Sequence, residues 1–140
     1  MRARSVAGVG ALTLTALLGA CAPKTTLHGR AIEGTASIAV LVSDEDQRLE
    51  LDGIGPTRIE LRYKGAMIAK AESAADGLFK LVYNPDSVPS DPVEIVARRD
   101  GYAPARTTVF PPKPGQAALV QLKRLGPVPA PAETSPGRKP

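Results

Sequence analysis

The chain contains one cysteine, Cys21, and one histidine, His28, and these two residues bound the chemistry it can perform. A nucleophilic triad needs a histidine or a substitute base beside a serine or cysteine, and a zinc site needs three or four cysteine or histidine ligands. His28 is expected at an ordinary surface position on a strand. We therefore predict that the protein is not an enzyme and has no catalytic residue, no metal and no cofactor.

An acidic segment from Asp44 to Asp52 is a second candidate for chemistry, because clustered carboxylates can bind calcium. Asp44 and Asp46 match the first two ligand positions of an EF-hand loop, but Arg48 stands at the third and no glycine follows it. The favoured interpretation is a solvated acidic loop.

Three basic residues, Arg58, Arg62 and Lys64, alternate with apolar residues and so are predicted to project from one face of a strand. We identify them as possible partner-binding residues. Three further arginines are expected nearby: Arg98, Arg99 and Arg106. Such a face could meet an anionic envelope polymer, and a solvated face with mixed charges is the alternative.

The elements that must position these residues are predicted to be strands. The chain has 14 prolines and no tryptophan, and apolar residues alternate with polar ones over several short segments. Residues 37–43 are apolar on both faces and favour a buried strand over a short helix. Asp76-Gly77 and Asp100-Gly101 predict turns, and Phe79 is expected to face inward. The first predicted strand begins at residue 27. Four further strands are predicted at residues 58–64, 93–99, 105–110 and 117–123.

The first twenty residues have the features of an export leader. Arg2 and Arg4 precede an apolar run over residues 6–18, and the small residues Gly19 and Ala20 follow it. The run is too short to span a membrane, and its small-residue flank marks a cleavage site. Loss of the two arginines with the leader lowers the formal net charge from +4 to +2, which is too small an excess to predict a nucleic-acid partner.

The segment Leu18-Gly19-Ala20-Cys21 resembles the lipobox of bacterial lipoproteins. The resemblance implies signal cleavage between Ala20 and Cys21 and lipidation of the Cys21 thiol, through a thioether to diacylglycerol. Two or more acyl chains, such as palmitate, make a stable membrane anchor. Ala22 implies the outer membrane. The alternative is an ordinary buried thiol near the end of a signal peptide.

The mature chain resembles the carboxypeptidase regulatory-like domain in four segments: residues 28–32, 53–61, 75–81 and 97–102. They include the Asp-Gly-x-Phe turn at residues 76–79 and the Gly-Tyr turn at residues 101–102. That family implies a transthyretin-like, antiparallel Greek-key β-sandwich of about seven strands. The predicted organisation is a signal peptide at 1–20, a lipidated tether at 21–26, the sandwich at 27–125 and a disordered Pro/Ala-rich tail at 126–140.

The resemblance implies an interaction module. We predict a non-catalytic, lipid-anchored module of the bacterial cell envelope that binds a protein or glycan partner. The alternatives are a small envelope hydrolase and a carrier that holds a hydrophobic ligand between its sheets. Tyr102 could pack on the end of the sandwich or form a ligand-stacking platform, and packing is expected for an aromatic residue beside a turn.

Overall fold

Eight strands form two four-stranded sheets in the computed structural model, which describes residues 21–88 and 90–127. Short 3-10 helices, Gln47–Glu50 and Pro85–Ser87, lie in two of the connections. The strands in chain order are β1 Thr25–Glu33, β2 Ile38–Ser43, β3 Arg58–Tyr63, β4 Ala66–Glu72, β5 Leu78–Tyr83, β6 Val93–Arg98, β7 Ala105–Val109 and β8 Gln116–Leu122.

The two sheets enclose one apolar core, so the predicted β-sandwich is confirmed. The first sheet has the strand order β2-β8-β1-β5, and the second has the order β4-β3-β6-β7. The prediction of a purely antiparallel fold is wrong at one pair, because β1 and β8 are parallel. Parallel strands need a long crossover connection between them. The chain between β1 and β8 provides this connection, because it passes through the second sheet.

Three segments differ from their predictions. β4 is a strand that the sequence pattern does not predict, because Ile68 is its only β-branched residue and its three alanines give weak alternation. β2 is a strand, as expected, but it lies at a sheet edge with Ile38 39% exposed, so it is not buried on both faces. β1 begins at Thr25, which pairs with Tyr83 and shortens the predicted tether of residues 21–26 by two residues.

The inward face of β5 follows the predicted alternation. Phe79, Leu81 and Tyr83 are buried in the core, whereas the residues between them are exposed. Phe79 lies opposite Gly29 of β1, and a Cβ at that glycine would overlap the phenyl ring. The small residue therefore makes room for the large one across the sheet.

The acidic segment crosses the outer face of the first sheet. Asp44 donates its backbone N–H to the carbonyl of Gly115 at 3.0 Å, near the start of β8. The Arg30 guanidinium donates to the carbonyl of Leu51 at 2.7 Å, and Gly53 then forms an antiparallel bridge with Ile32 of β1. The segment thus runs from the β2 edge to the opposite side of β1, over a face that would otherwise be solvated.

The strands of the sandwich run between two opposite ends. We call the end at which β1 begins, at Thr25, the near end, and the opposite end, where β3 begins and β6 ends, the far end. In residues 21–88 and 90–127, no helix has the length and apolar character needed to cross a membrane.

Candidate functional site

A surface notch with a volume of about 380 Å³ lies at the far end of the sandwich. Its walls come from the start of β3, the ends of β4 and β6, and the turn that follows β6. Most of the side chains that line the notch are charged. Arg58, Arg98 and Arg99 carry positive charge, and Glu72 and Asp100 carry negative charge. The notch is therefore lined by three guanidinium groups and two carboxylates.

Two of these arginines face each other across adjacent strands. Arg58 of β3 and Arg98 of β6 are directly opposite in the antiparallel register, and both are exposed. Like charges directly opposite each other on adjacent strands destabilise a sheet. Glu72 lies opposite Arg58 on the other side, yet no carboxylate of the described residues approaches either guanidinium within 4.0 Å. Within residues 21–88 and 90–127, neither guanidinium therefore forms an ion pair.

The third arginine, Arg99, is held in place at the notch. Its Nη1 donates to the carbonyl of Pro56 at 2.9 Å, and its guanidinium carbon lies 5.5 Å from the centroid of the Tyr102 ring. Its Nε is buried and has no hydrogen-bond partner in the described part of the chain. Arg99 is therefore a fixed positive group, whereas Arg58 and Arg98 extend to solvent.

Close packing of two loops positions Pro56. A Cβ at Gly53 or Gly55 would overlap the carbonyl groups of the loop between β4 and β5, so the glycines allow the chains to touch. The Ser73 hydroxyl accepts from the backbone N–H of Thr57 at 2.9 Å, and Ser73 and Thr57 are both buried. The Gly55–Pro56 peptide bond is cis. The packing of the two loops fixes the position of the Pro56 carbonyl, to which Arg99 donates.

Tyr102 anchors the turn that carries Arg99. Its hydroxyl donates to Glu33 Oε2 at 2.9 Å, and Arg124 Nη2 donates to the same oxygen at 2.8 Å. These hydrogen bonds from Arg124 and Tyr102 lower the pKa of the Glu33 carboxyl. The Arg124 guanidinium also lies 5.3 Å from the ring centroid, and Tyr102 is only 9% exposed. Tyr102 has the packing role expected for it, and its ring does not form an open stacking platform.

The three predicted partner-binding residues are not brought together. Arg58 lines the notch, but Arg62 is paired with Glu60 at 2.7 Å. Lys64 lies beyond the end of β3 in the turn to β4, with φ 48°, and its ammonium is 5.2 Å from the centroid of Tyr63. Lys64 therefore lies off the strand, where the hairpin turn has ended the alternation that Arg58 and Arg62 follow.

The expected neighbouring arginines have different environments. Arg98 and Arg99 join Arg58 at the notch, whereas Arg106 pairs with Glu94 at 3.2 Å. The sequence signal for the first two was the pair of arginines directly before the Asp100-Gly101 turn, but their position opposite Arg58 depends on the register of β3 and β6.

One carboxylate of the acidic segment forms an ion pair with an arginine of the same segment. Arg48 Nη2 lies 2.7 Å from Asp46 Oδ2, and this contact with a hydrogen bond from the Arg48 backbone lowers the pKa of Asp46 to about 2. Within the described residues, no group of three or more histidine, cysteine, aspartate or glutamate side chains could hold a metal ion. The Asp46 carboxylate thus has an internal partner.

The remaining predicted residues lie away from the notch. His28 is exposed on β1 opposite Lys80, and Cys21 is exposed four residues before β1. Ala20, with the rest of the predicted signal peptide at residues 1–20, lies outside the described residues, as does the predicted tail from residue 128 onward.

The chain matches no protein family model, no curated protein and no solved structure. The residues that line the notch offer permanently charged guanidinium donors, which suit the recognition of a carboxylate or a phosphate. Among the described residues, no serine, cysteine or histidine lines the notch.

Proposed function

We propose that the protein is a lipid-anchored, non-catalytic module of the bacterial cell envelope that binds a partner at the far end of its sandwich. The observation that carries this proposal is the exposed pair of Arg58 and Arg98, which are directly opposite each other and form no ion pair with any described residue. A fold that keeps like charges together forgoes stability, and such a departure is typical of a functional surface.

The position of Cys21 supports this arrangement. The cysteine is exposed and lies four residues before β1, at the near end. If acyl chains on Cys21 hold the protein to the outer membrane, the near end faces the lipid. The nine residues of β1 span roughly 30 Å, so the notch lies about that distance farther from the membrane than the start of β1. A partner in the periplasm or outside the cell then has access to the far end.

We also propose that the sandwich is related to the transthyretin-like carboxypeptidase regulatory-like domain. The Asp76-Gly77 turn leads into β5, and the Gly101-Tyr102 turn follows β6, as that resemblance implies. The eight strands exceed the family's approximate seven, and an acidic crossing segment separates β2 from the Gly53 bridge. A Greek-key connection is part of this proposal.

The packing of the core favours a binding module over a carrier. Leu61, Leu81 and Ile95 are fully buried between the sheets, together with the other large side chains of the core. A ligand between the sheets would have to displace such close-packed groups, which costs several kcal/mol. The proposed partner therefore binds on the surface, and it is a protein or a glycan.

The anchor is tested by replacing Cys21 with serine. A serine hydroxyl cannot form the thioether, so Cys21→Ser should abolish palmitate incorporation and leave the leader uncleaved, which a larger mass on a denaturing gel reports. The variant Ala22→Ser, which leaves the thiol in place, serves as the matched control and should keep the label. Label on the serine variant, or none on the unmodified chain, contradicts the anchor.

Binding is tested by crosslinking in the native envelope. The full-length chain, crosslinked and recovered under denaturing conditions, should carry one discrete partner that is absent from the unlipidated Cys21→Ser variant. Recovery of the chain alone, at every crosslinker length, would contradict a binding function.

A further inference from the structure

We infer that the notch binds an acidic segment of a partner protein, with carboxylate side chains seated between Arg58 and Arg98. This inference deepens the proposed function and rests on it. The register places the two arginines directly opposite each other, so a single carboxylate can meet both guanidinium groups. Guanidinium and carboxylate match in geometry and form paired, charge-assisted hydrogen bonds.

The notch is partly organised before any ligand arrives. Arg99 is fixed by the Pro56 carbonyl at 2.9 Å and lies 5.5 Å from the Tyr102 ring centroid. Ordering Arg99 on binding therefore costs less side-chain entropy than ordering Arg58 and Arg98, which extend to solvent. A bound carboxylate would also relieve the repulsion between those two arginines, which gives the ligand an energetic gain that is absent at an already paired arginine such as Arg62.

The mixed charge of the notch favours a protein over an anionic polymer. Glu72 and Asp100 line the same wall as the three arginines. A polymer with one negative charge per repeat would place further charges against these carboxylates, and such like-charge contacts select against it. A peptide can place its acidic residues at the arginines and its neutral or basic residues beside Glu72 and Asp100.

The burial of the Tyr102 ring disfavours a neutral glycan as the ligand. Sugar rings bind by stacking on exposed aromatic faces, but Tyr102 is 9% exposed and has two guanidinium groups within 5.5 Å of its centroid. The notch volume of about 380 Å³ is at the lower end of the range for ligand sites and suits a few side chains.

Fluorescence anisotropy on the full-length protein in non-ionic detergent tests this inference. The probe is a labelled peptide with three consecutive acidic residues between glycine and serine, and the control peptide carries the corresponding amides. The acidic peptide should bind, and the amide peptide should bind at least roughly tenfold more weakly, the loss expected for charge-assisted hydrogen bonds. Raised salt should weaken the acidic peptide alone.

Two arginine variants serve as a matched pair. Arg98→Gln should reduce the affinity for the acidic peptide by roughly tenfold, the loss expected when one charged partner is removed. Arg106→Gln, on the same outer face but paired with Glu94 and outside the notch, should leave the affinity unchanged. Removal of the like-charge contact should also leave the melting temperature of Arg98→Gln equal to or above that of the unmodified protein, so unfolding cannot imitate lost binding.

Several results would overturn the inference. They are equal binding of both peptides, equal effects of Arg98→Gln and Arg106→Gln, and stronger competition by polygalacturonate or inorganic phosphate than by unlabelled acidic peptide. If crosslinking in the envelope recovers a partner that Arg98→Gln does not affect, the inference fails while the proposed function stands. If neither lipid nor partner is found, the proposed function fails, and the peptide measurement still decides the chemistry of the notch.

Discussion

Glu33 connects three parts of the chain that are far apart in sequence. It lies at the end of β1 and accepts hydrogen bonds from Tyr102, in the turn after β6, and from Arg124, beyond β8. Because Tyr102 also lies beside Arg99, the carboxylate of Glu33 supports the notch without lining it. The residue is exposed, so its contribution to stability is moderated by solvent.

The pH dependence of stability tests this role. In the folded protein, the pKa of Glu33 lies below its ordinary value of 4.5. The stabilising contribution of its carboxylate is therefore fully present above about pH 4.5, and it is lost as the pH falls through the lowered pKa. Urea midpoints should therefore be higher for the unmodified chain than for Glu33→Gln at pH 7, and the gap should close toward pH 3. Glu45→Gln, which removes an exposed carboxylate with no ion pair within the described residues, is the control. A gap that persists unchanged at pH 3 would contradict this explanation.

At the scale of elements, the turns decide where each strand begins. The residues Gly77 and Gly101 both follow an aspartate and both have positive φ angles, 83° and 80°. Their surroundings differ. A Cβ at Gly77 would overlap the carbonyl oxygen of Ala31, whereas a Cβ at Gly101 would meet open space. The first turn is packed against β1, and the second projects from the far end.

This difference predicts unequal effects for the same substitution. Gly101→Ala should cost about 1–2 kcal/mol of unfolding free energy, because only the left-handed backbone is strained. Gly77→Ala should cost clearly more, because the methyl group must also displace the backbone of β1. Urea unfolding of the two variants provides the measurement. Equal losses would show that the loop between β4 and β5 is not packed against β1 as described.

β3 shows how far alternation predicts a surface. The alternation correctly places Ile59 and Leu61 in the core and Arg58 outside. It does not predict that Arg62 pairs with Glu60 on its own strand, or that the hairpin turn takes Lys64 off the strand. Periodicity specifies the face of a residue, but its partner on that face depends on the surrounding side chains, whether on the same strand, as for Arg62, or on neighbouring strands and turns.

At the scale of the whole molecule, residues after β8 close the far end. The N–H of Leu125 donates to the carbonyl of Gly101 at 2.9 Å, and the N–H of Ala103 donates to the carbonyl of Lys123 at 2.9 Å. Arg124 adds its contacts with Glu33 and Tyr102. The last described residues thus hold the turn that carries the third arginine of the notch.

Truncation tests where the folded unit ends. A chain that stops after Gly126 should melt at the same temperature as the full chain, because every contact of residues 123–125 is kept. A chain that stops after Leu122 should lose about 1–3 kcal/mol, since two backbone hydrogen bonds and the Arg124 contacts are removed. Thermal unfolding followed by circular dichroism gives the comparison. A loss of stability already at the longer truncation would show that the tail contributes to the fold.

The class of fold, the inward face of β5 and the positions of two turns can be predicted from the residue pattern. These features depend on local properties, namely the two-residue period of a strand and the backbone freedom of glycine. The tertiary structure alone decided that β1 and β8 are parallel, that β4 is a strand and that Arg58 faces Arg98. The facing arginines are forty residues apart in the chain, and their register follows from the packing of both sheets, which no local pattern encodes.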